Sequence, residues 1–262
     1  CIETGERIVI SSPTFGMYSF DAQQYGAEVV DVPRREDWEL DREPLLAAAR
    51  DAKAVFLPSP NNPTGNTASR ELIEELLETG ALIVIDEAYI EFSEEESVAA
   101  LAASGAPLVV LRTFSKWGGL AGMRIGYAVM PEALAQATMA VKQPYSLNVA
   151  AEVAALASLQ DIDELDERAC TITGERNRLA EALRATGWIE PWPSDTNFLF
   201  CRLLRSDGAT VREVLRRRGV IIRYFDSERL RGHIRISVGT AEDTDRVIEA
   251  LAKVAQELGA EA

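Results

Sequence analysis

Four places along the chain put chemically able side chains directly after short apolar runs. They are Thr14-Phe15, Asn61-Asn62-Pro63-Thr64-Gly65, Asp86-Glu87-Ala88-Tyr89 and Thr113-Phe114-Ser115-Lys116. In open α/β sheets, ligands bind beyond the carboxyl ends of the strands, so these places form one candidate site. A lysine just after a buried strand is costly to keep charged in a cleft. Burial lowers the amine's pKa and frees its lone pair for attack on a carbonyl. Lys116 thus has the type and place of a Schiff-base lysine. An aldehyde cofactor that acts as an electron sink wants an acid beside its ring nitrogen, because a carboxylate there holds the pyridinium proton. Asp86 fits by type and place, closing an apolar run 30 residues before Lys116. Tyr89, three residues further on, and Asn62, from the neighbouring strand end, can donate to a ring oxygen. A phosphate handle wants hydroxyls and a guanidinium, which Thr113, Ser115 and Arg124 supply.

Positioning these groups needs a sheet. Strands are expected at Ile8–Ile10, Ala54–Leu57, Ala81–Ile85, Pro107–Arg112 and Gly126–Met130. A helix between the second and third has Ser69 as its cap, one face of Leu72, Ile73, Leu76 and Leu77, and Gly80 as its stop. The continuous apolar runs suit strands covered on both faces. Strand–helix alternation argues for an α/β sheet, largely parallel. From Pro131 to about Leu159 the chain is Ala-rich and helical. The pattern then changes to a long polar helix (Leu165–Thr186), a strand (Thr196–Leu203), a helix (Thr210–Arg218), strands at Val220–Tyr224 and His233–Val238, and a helix over Ala241–Leu258. Thr240 and Asp243 form a capping box for that last helix. Two domains are expected, residues 1–159 as the large one and 160–262 as a smaller α+β one.

The chain has 262 residues, 47% hydrophobic and 26% charged, which is the composition of a globular protein. Its net charge of −15 argues against nucleic acid and anionic membranes as partners. Cys1, Cys170 and Cys201 lack metal-ligand spacing and are read as reduced thiols. No metal site is expected, and the single His233 is read as structural. No membrane-length apolar run occurs in the chain, and no signal peptide is expected. The chain opens on Cys and mid-pattern, so an N-terminal section is expected to be missing.

The segments PNNPTG, DEAY and TFSKWGGLAGMRIGY resemble those of the fold-type I, pyridoxal-phosphate-dependent aminotransferases. Within that group, SPTFGMYS, SPNNPTG, DEAYIEF, RTFSK and HIRISVGT follow the order and wording of the histidinol-phosphate aminotransferase family. The resemblance implies a three-layer α/β/α large domain and a pyridoxal 5'-phosphate cofactor. It implies Lys116 as the covalent lysine and proton shuttle and Asp86 as the ring-nitrogen partner. Tyr89 and Asn62 become donors to the phenolic oxygen, and Thr113, Ser115 and Arg124 the phosphate cup. Phe15 becomes the ring-stacking aromatic. Arg235 becomes the α-carboxylate ligand, with Arg223 and Asn197 as further substrate contacts. Tyr18 is assigned no role.

The reaction implied is ping-pong transamination from histidinol phosphate to 2-oxoglutarate, giving imidazole acetol phosphate and glutamate, by a cytoplasmic homodimer acting on small amino and keto acids. Aromatic or broad-range amino acid transamination and threonine-phosphate decarboxylation are the enzymatic alternatives. A cofactor-binding module or an inactive fragment is the non-enzymatic one.

Overall fold

The computed structural model describes residues 2–258; Cys1 lies outside them. It divides into two compact units. One holds the residues up to Asn62 together with Asn66–Leu165, and the other holds Pro63–Gly65 and the residues from Asp166 on.

The first unit is built on a six-stranded sheet of β1 (Arg7–Ile10), β2 (Glu28–Asp31), β3 (Ala54–Pro58), β4 (Leu82–Asp86), β5 (Leu108–Thr113) and β6 (Gly126–Val129). The spatial order is β2-β1-β3-β4-β5-β6. The first five strands are mutually parallel, and β6 returns antiparallel to β5. Helices α1 (Met17–Gln24), α2 (Arg42–Arg50), α3 (Arg70–Leu77), α4 (Ala99–Ala103), α5 (Glu132–Val141) and α6 (Val149–Gln160) complete it.

Strand alternation decides what faces what. Val9, Val55, Leu57, Ile83, Ile85, Leu108 and Val110 point to one face and are sealed by α2, α3 and α4. Ile8, Ile10, Ala54, Phe56 and Leu82 point to the other, beneath α1. Asp86 shares that second face with Val84 and Leu82, two and four residues back. Ser69 caps α3 as expected, its hydroxyl accepting from the Leu72 amide at 3.2 Å. Covering on both faces stops at β6, where Gly126, Tyr127 and Ala128 are exposed.

The second unit pairs β7 (Ile189–Pro191), β8 (Phe198–Leu203), β9 (Arg223–Tyr224) and β10 (His233–Ser237) in the order β7-β8-β10-β9, all antiparallel. One face packs against α7 (Ile162–Ala185), α8 (Gly208–Arg217) and α9 (Ala241–Leu258), with Leu199, Cys201, Ile234 and Ile236 in the core.

Several elements differ from the sequence expectation. The strand expected at Val220–Tyr224 shrinks to two paired residues. The one expected from Thr196 starts at Phe198, because the Ser194 and Thr196 hydroxyls take the backbone amides of Thr196 and Phe198 at 3.2 Å each. The helical stretch from Pro131 breaks into α5 and α6 across Pro144, and Asn148 caps the second piece through the Ala151 amide at 2.9 Å. The long helix opens three residues early, at Ile162. Elements β2, α1, α2, α4 and β7 have no counterpart in the sequence reading, being short or weakly patterned.

Candidate active site

Parallel strands bring their carboxyl ends to one edge, and antiparallel β6 brings its start to the same edge. Phe15, Asn62 and Lys116 follow β1, β3 and β5 there, Asp86 closes β4, and Arg124 precedes β6.

The β4 end is the most constrained part. Asp86 is half-buried, and each of its oxygens has a fixed donor. The Ala88 amide donates to Oδ1 at 3.0 Å, and the Tyr18 hydroxyl to Oδ2 at 2.7 Å. The first bond is an Asx turn, which any Asp two residues before a free amide can make. The second joins residues 68 apart in sequence. Burial pushes the Asp86 carboxyl above its ordinary pKa; the Tyr18 bond, the Ala88 amide and the Lys116 ammonium pull it back. Burial first, then Asp86, raise the Tyr18 phenol far above its usual value, so Tyr18 stays protonated and donates.

Tyr18 also organises an aromatic wall. Its ring stacks on Phe56 (5.7 Å, 27°) and meets Phe15 edge to face (5.6 Å, 81°). Phe15 keeps 44% of its surface exposed, leaving a π face open. Asn61 is fully buried and fastens the turn before α1. It accepts from the Thr14 hydroxyl at 3.1 Å and donates to the Pro13 carbonyl at 3.0 Å. Its neighbour Asn62 sits half-buried in the turn after β3.

The β5 end is more open. Lys116 is exposed, not buried as its position suggested, because the last strand over it is a bare edge. Its ammonium lies 5.6 Å from the centroid of the buried Tyr89 ring, within cation–π range. The Thr113 hydroxyl accepts from the Ser115 amide at 3.0 Å, and the β5–β6 register sets Thr113 opposite Gly126. Ser115 is half-buried, and Arg124 is exposed and holds a left-handed backbone (φ 57°). Gly126 is required: a Cβ there would stand 2.6 Å from the Arg112 carbonyl oxygen.

An ion-pair network that the sequence reading missed lies under both strand ends. Glu87, 2% exposed, accepts from the Ser97 hydroxyl at 2.6 Å and the Val98 amide at 2.8 Å. The Arg112 guanidinium lies 3.2 Å from Glu87 and 2.9 Å from Glu91. It couples the residue after Asp86 to the residue before Thr113. The signal for it is the acidic neighbour inside DEAY facing an arginine one strand over. Tyr18 was the other miss. Its signal is an aromatic three residues after Phe15, on the same side of the turn that follows β1.

In the second unit, Arg235 of β10 pairs in register with Arg223 of β9 and Phe200 of β8. The Arg235 guanidinium lies 4.7 Å over the Phe198 ring and that of Arg223 5.5 Å over Phe225. Like charges directly opposite one another destabilise a sheet, so this face suits an anionic ligand. Asn197 adjoins it, half-buried, its carbonyl accepting from the Val238 amide at 2.9 Å. His233 stacks on Phe200 (4.8 Å, 7°). Burial holds its pKa down to about 4, which fits a structural imidazole. Cys201 is buried and Cys170 exposed, neither in a disulfide.

Residues 1–251 match the family described as aminotransferase class I and II. A histidinol-phosphate aminotransferase of Roseiflexus castenholzii is 48% identical over 259 residues, covering 97% of this chain and 70% of that protein. A chloroplastic histidinol-phosphate aminotransferase of Nicotiana tabacum is 40% identical over 253 residues, covering 95% of this chain and 61% of that protein. The crystal structure of the Sinorhizobium meliloti histidinol-phosphate aminotransferase in complex with pyridoxal-5'-phosphate superimposes with a TM-score of 0.88 at 30% identity, covering 98% of this chain and 72% of that one.

Proposed function

The chain belongs to the class I and II aminotransferase family, and from that premise we propose that it is a pyridoxal-phosphate-dependent transaminase moving an amino group from histidinol phosphate to 2-oxoglutarate. The observation that carries the reading is the cluster at the β4 edge: a half-buried carboxylate held by two donors, one strand over from the lysine that follows β5. The donor set fits the cofactor. Its ring nitrogen carries a proton that a buried carboxylate wants, its ring wants an aromatic face, and its phosphate wants hydroxyls with a guanidinium.

When bound, pyridoxal phosphate supplies a carbonyl for amine exchange and a protonated ring that accepts electrons from the substrate's α-carbon. The remaining work falls to the chain. Asp86 keeps the ring nitrogen protonated. The Lys116 amine would carry the proton from the substrate α-carbon to the cofactor's C4′ carbon, the step in which a positioned base is worth about 10²–10⁴-fold. Tyr89 and Asn62 donate to the ring oxygen, and Phe15 supplies a stacking face. Thr113, Ser115 and Arg124 grip the phosphate. Arg235, in register with Arg223, takes the substrate carboxylate when present and the substrate phosphate's charge when not, with Asn197 beside it.

Support for histidinol phosphate over aromatic amino acids or threonine phosphate comes from the relatives' names at 48% and 40% identity. Steady-state assays with histidinol phosphate, phenylalanine and threonine phosphate decide it. Histidinol phosphate is expected to give the largest kcat/KM with 2-oxoglutarate, and carbon dioxide release from threonine phosphate overturns the assignment. We place the activity in the cytoplasm, as a homodimer. Val141, Tyr145, Val149, Val153 and Leu156 on and between α5 and α6 are more than half exposed, and this apolar surface supports assembly. Light scattering at micromolar concentration checks it. Among the described residues no helix is long and apolar enough to cross a membrane.

A further inference from the structure

Resting on the cofactor reading above, we propose that Tyr18 is a positioning residue: its hydrogen bond to Asp86 keeps the shared proton on the cofactor's ring nitrogen rather than on the carboxylate. Desolvation works against the ionised form of Asp86, since a half-buried carboxylate with few donors prefers to become a neutral acid. A proton on a neighbouring pyridine nitrogen is then drawn to the carboxylate: the N–H bond breaks, an O–H bond forms, and two opposite charges vanish. Any donor to the carboxylate opposes that transfer, because it stabilises the anion and lowers its basicity. Among the described residues the Ala88 amide and the Tyr18 hydroxyl are the hydrogen-bond donors to Asp86. Ala88 is an unavoidable backbone amide of the turn, so Tyr18 is the side chain that adjusts the balance.

Three features suit Tyr18 to this role. Its bond is short, 2.7 Å, as expected for a hydroxyl on a charged acceptor. Its ring is held from two sides by Phe56 and Phe15, so the hydroxyl has little freedom to turn away. Its phenol is buried beside a carboxylate and keeps its proton, so it can only donate. Tyr18 and Ala88 each occupy one oxygen, leaving every Asp86 oxygen a lone pair for a further donor.

The test loads the protein with pyridoxal phosphate carrying ¹⁵N in the ring and reads the ring-nitrogen chemical shift at neutral pH. Tyr18→Phe keeps both ring contacts and removes only the hydroxyl. We expect its shift to move toward that of unprotonated pyridine, the ratio of protonated to unprotonated nitrogen falling about tenfold, the loss of one hydrogen bond to a charged group. A fluorinated tyrosine at position 18, nearly the same size and a stronger donor, is expected to move the shift the opposite way. An unchanged shift in Tyr18→Phe, even with weakened cofactor affinity, overturns the proposal, since a packing role alone lowers affinity without moving the proton. If Tyr18→Phe does not fold, the fluorinated protein decides by itself, and no displacement there overturns the proposal. A wild-type protein that leaves the cofactor free overturns the reading of the site and this proposal with it, whereas binding without the Tyr18 effect overturns this proposal alone.

Discussion

Two neighbouring strand ends of the same sheet are built in opposite ways. At the end of β4, Asp86 is half-buried, doubly hydrogen-bonded and backed by the Tyr18–Phe56 stack. At the end of β5, Lys116 and Arg124 are exposed, and the segment between Thr113 and Gly126 is shaped by backbone bonds and a close β5–β6 approach. The difference follows from position. β4 has strands on both sides and helices beneath it, whereas β5 has only the uncovered edge strand β6 beyond it. One half of the site is organised before any ligand arrives. The other presents charged groups to solvent, where they can be drawn onto a ligand.

The strongest way to break this comparison is at the open end. Lys116→Ala is expected to lower kcat by about 10³-fold or more while leaving the folded protein's melting temperature unchanged, because an exposed side chain is removed from chemistry and not from packing. Assays on protein loaded with pyridoxal phosphate, with a thermal melt beside them, check both halves of the statement.

At the organised end, Asp86→Asn is expected to cost about 10²–10⁴-fold in kcat. It carries a second signature in protein free of cofactor. The Asp86 pKa is raised by folding, so the native state holds its proton longer than the unfolded chain does. Its favourable contribution is complete below the unfolded value near 3.8 and is lost as pH rises through the folded value. Wild-type stability relative to Asp86→Asn therefore falls with pH above that point. Denaturant titrations at several pH values measure it, and a difference independent of pH contradicts the burial argument.

The tie between the two ends comes next. Arg112→Ala strands the buried Glu87 carboxylate, and breaking a pair of this kind costs about 3 kcal/mol. Urea unfolding is expected to show that loss, with Glu87→Gln milder because the amide keeps the Ser97 contact. The smallest effect is Arg124→Ala. Removing one exposed charge-assisted contact is expected to weaken pyridoxal phosphate binding about tenfold and leave stability unchanged. A large stability loss in this variant erases the contrast between the ends.

How much of this was legible in the chain depends on how far apart the partners are. The Ser69 cap and the Thr240–Asp243 box were readable because each pairs residues three apart, and both form as expected. The roles proposed at positions 86, 89 and 116 were drawn from residue types alone, because the proposed chemistry asks for those types at strand ends. Tyr18 was not. It reaches Asp86 across Phe56 because β3 lies between β1 and β4, and nothing local in the chain states that order. The burial expected for Lys116 failed for the same reason. Its neighbours on the sheet, not its place after an apolar run, decide its exposure.

The chain alone thus determined which side chains are able to hold an aldehyde, a ring nitrogen and an anion, and where helices start and stop, since spacing along the backbone sets those contacts. The tertiary structure decided which carboxylate is desolvated, which phenol holds it, and which cation stays in water. Desolvation and hydrogen bonds across strands depend on strand order and on what covers each face, and these arise only when distant segments meet.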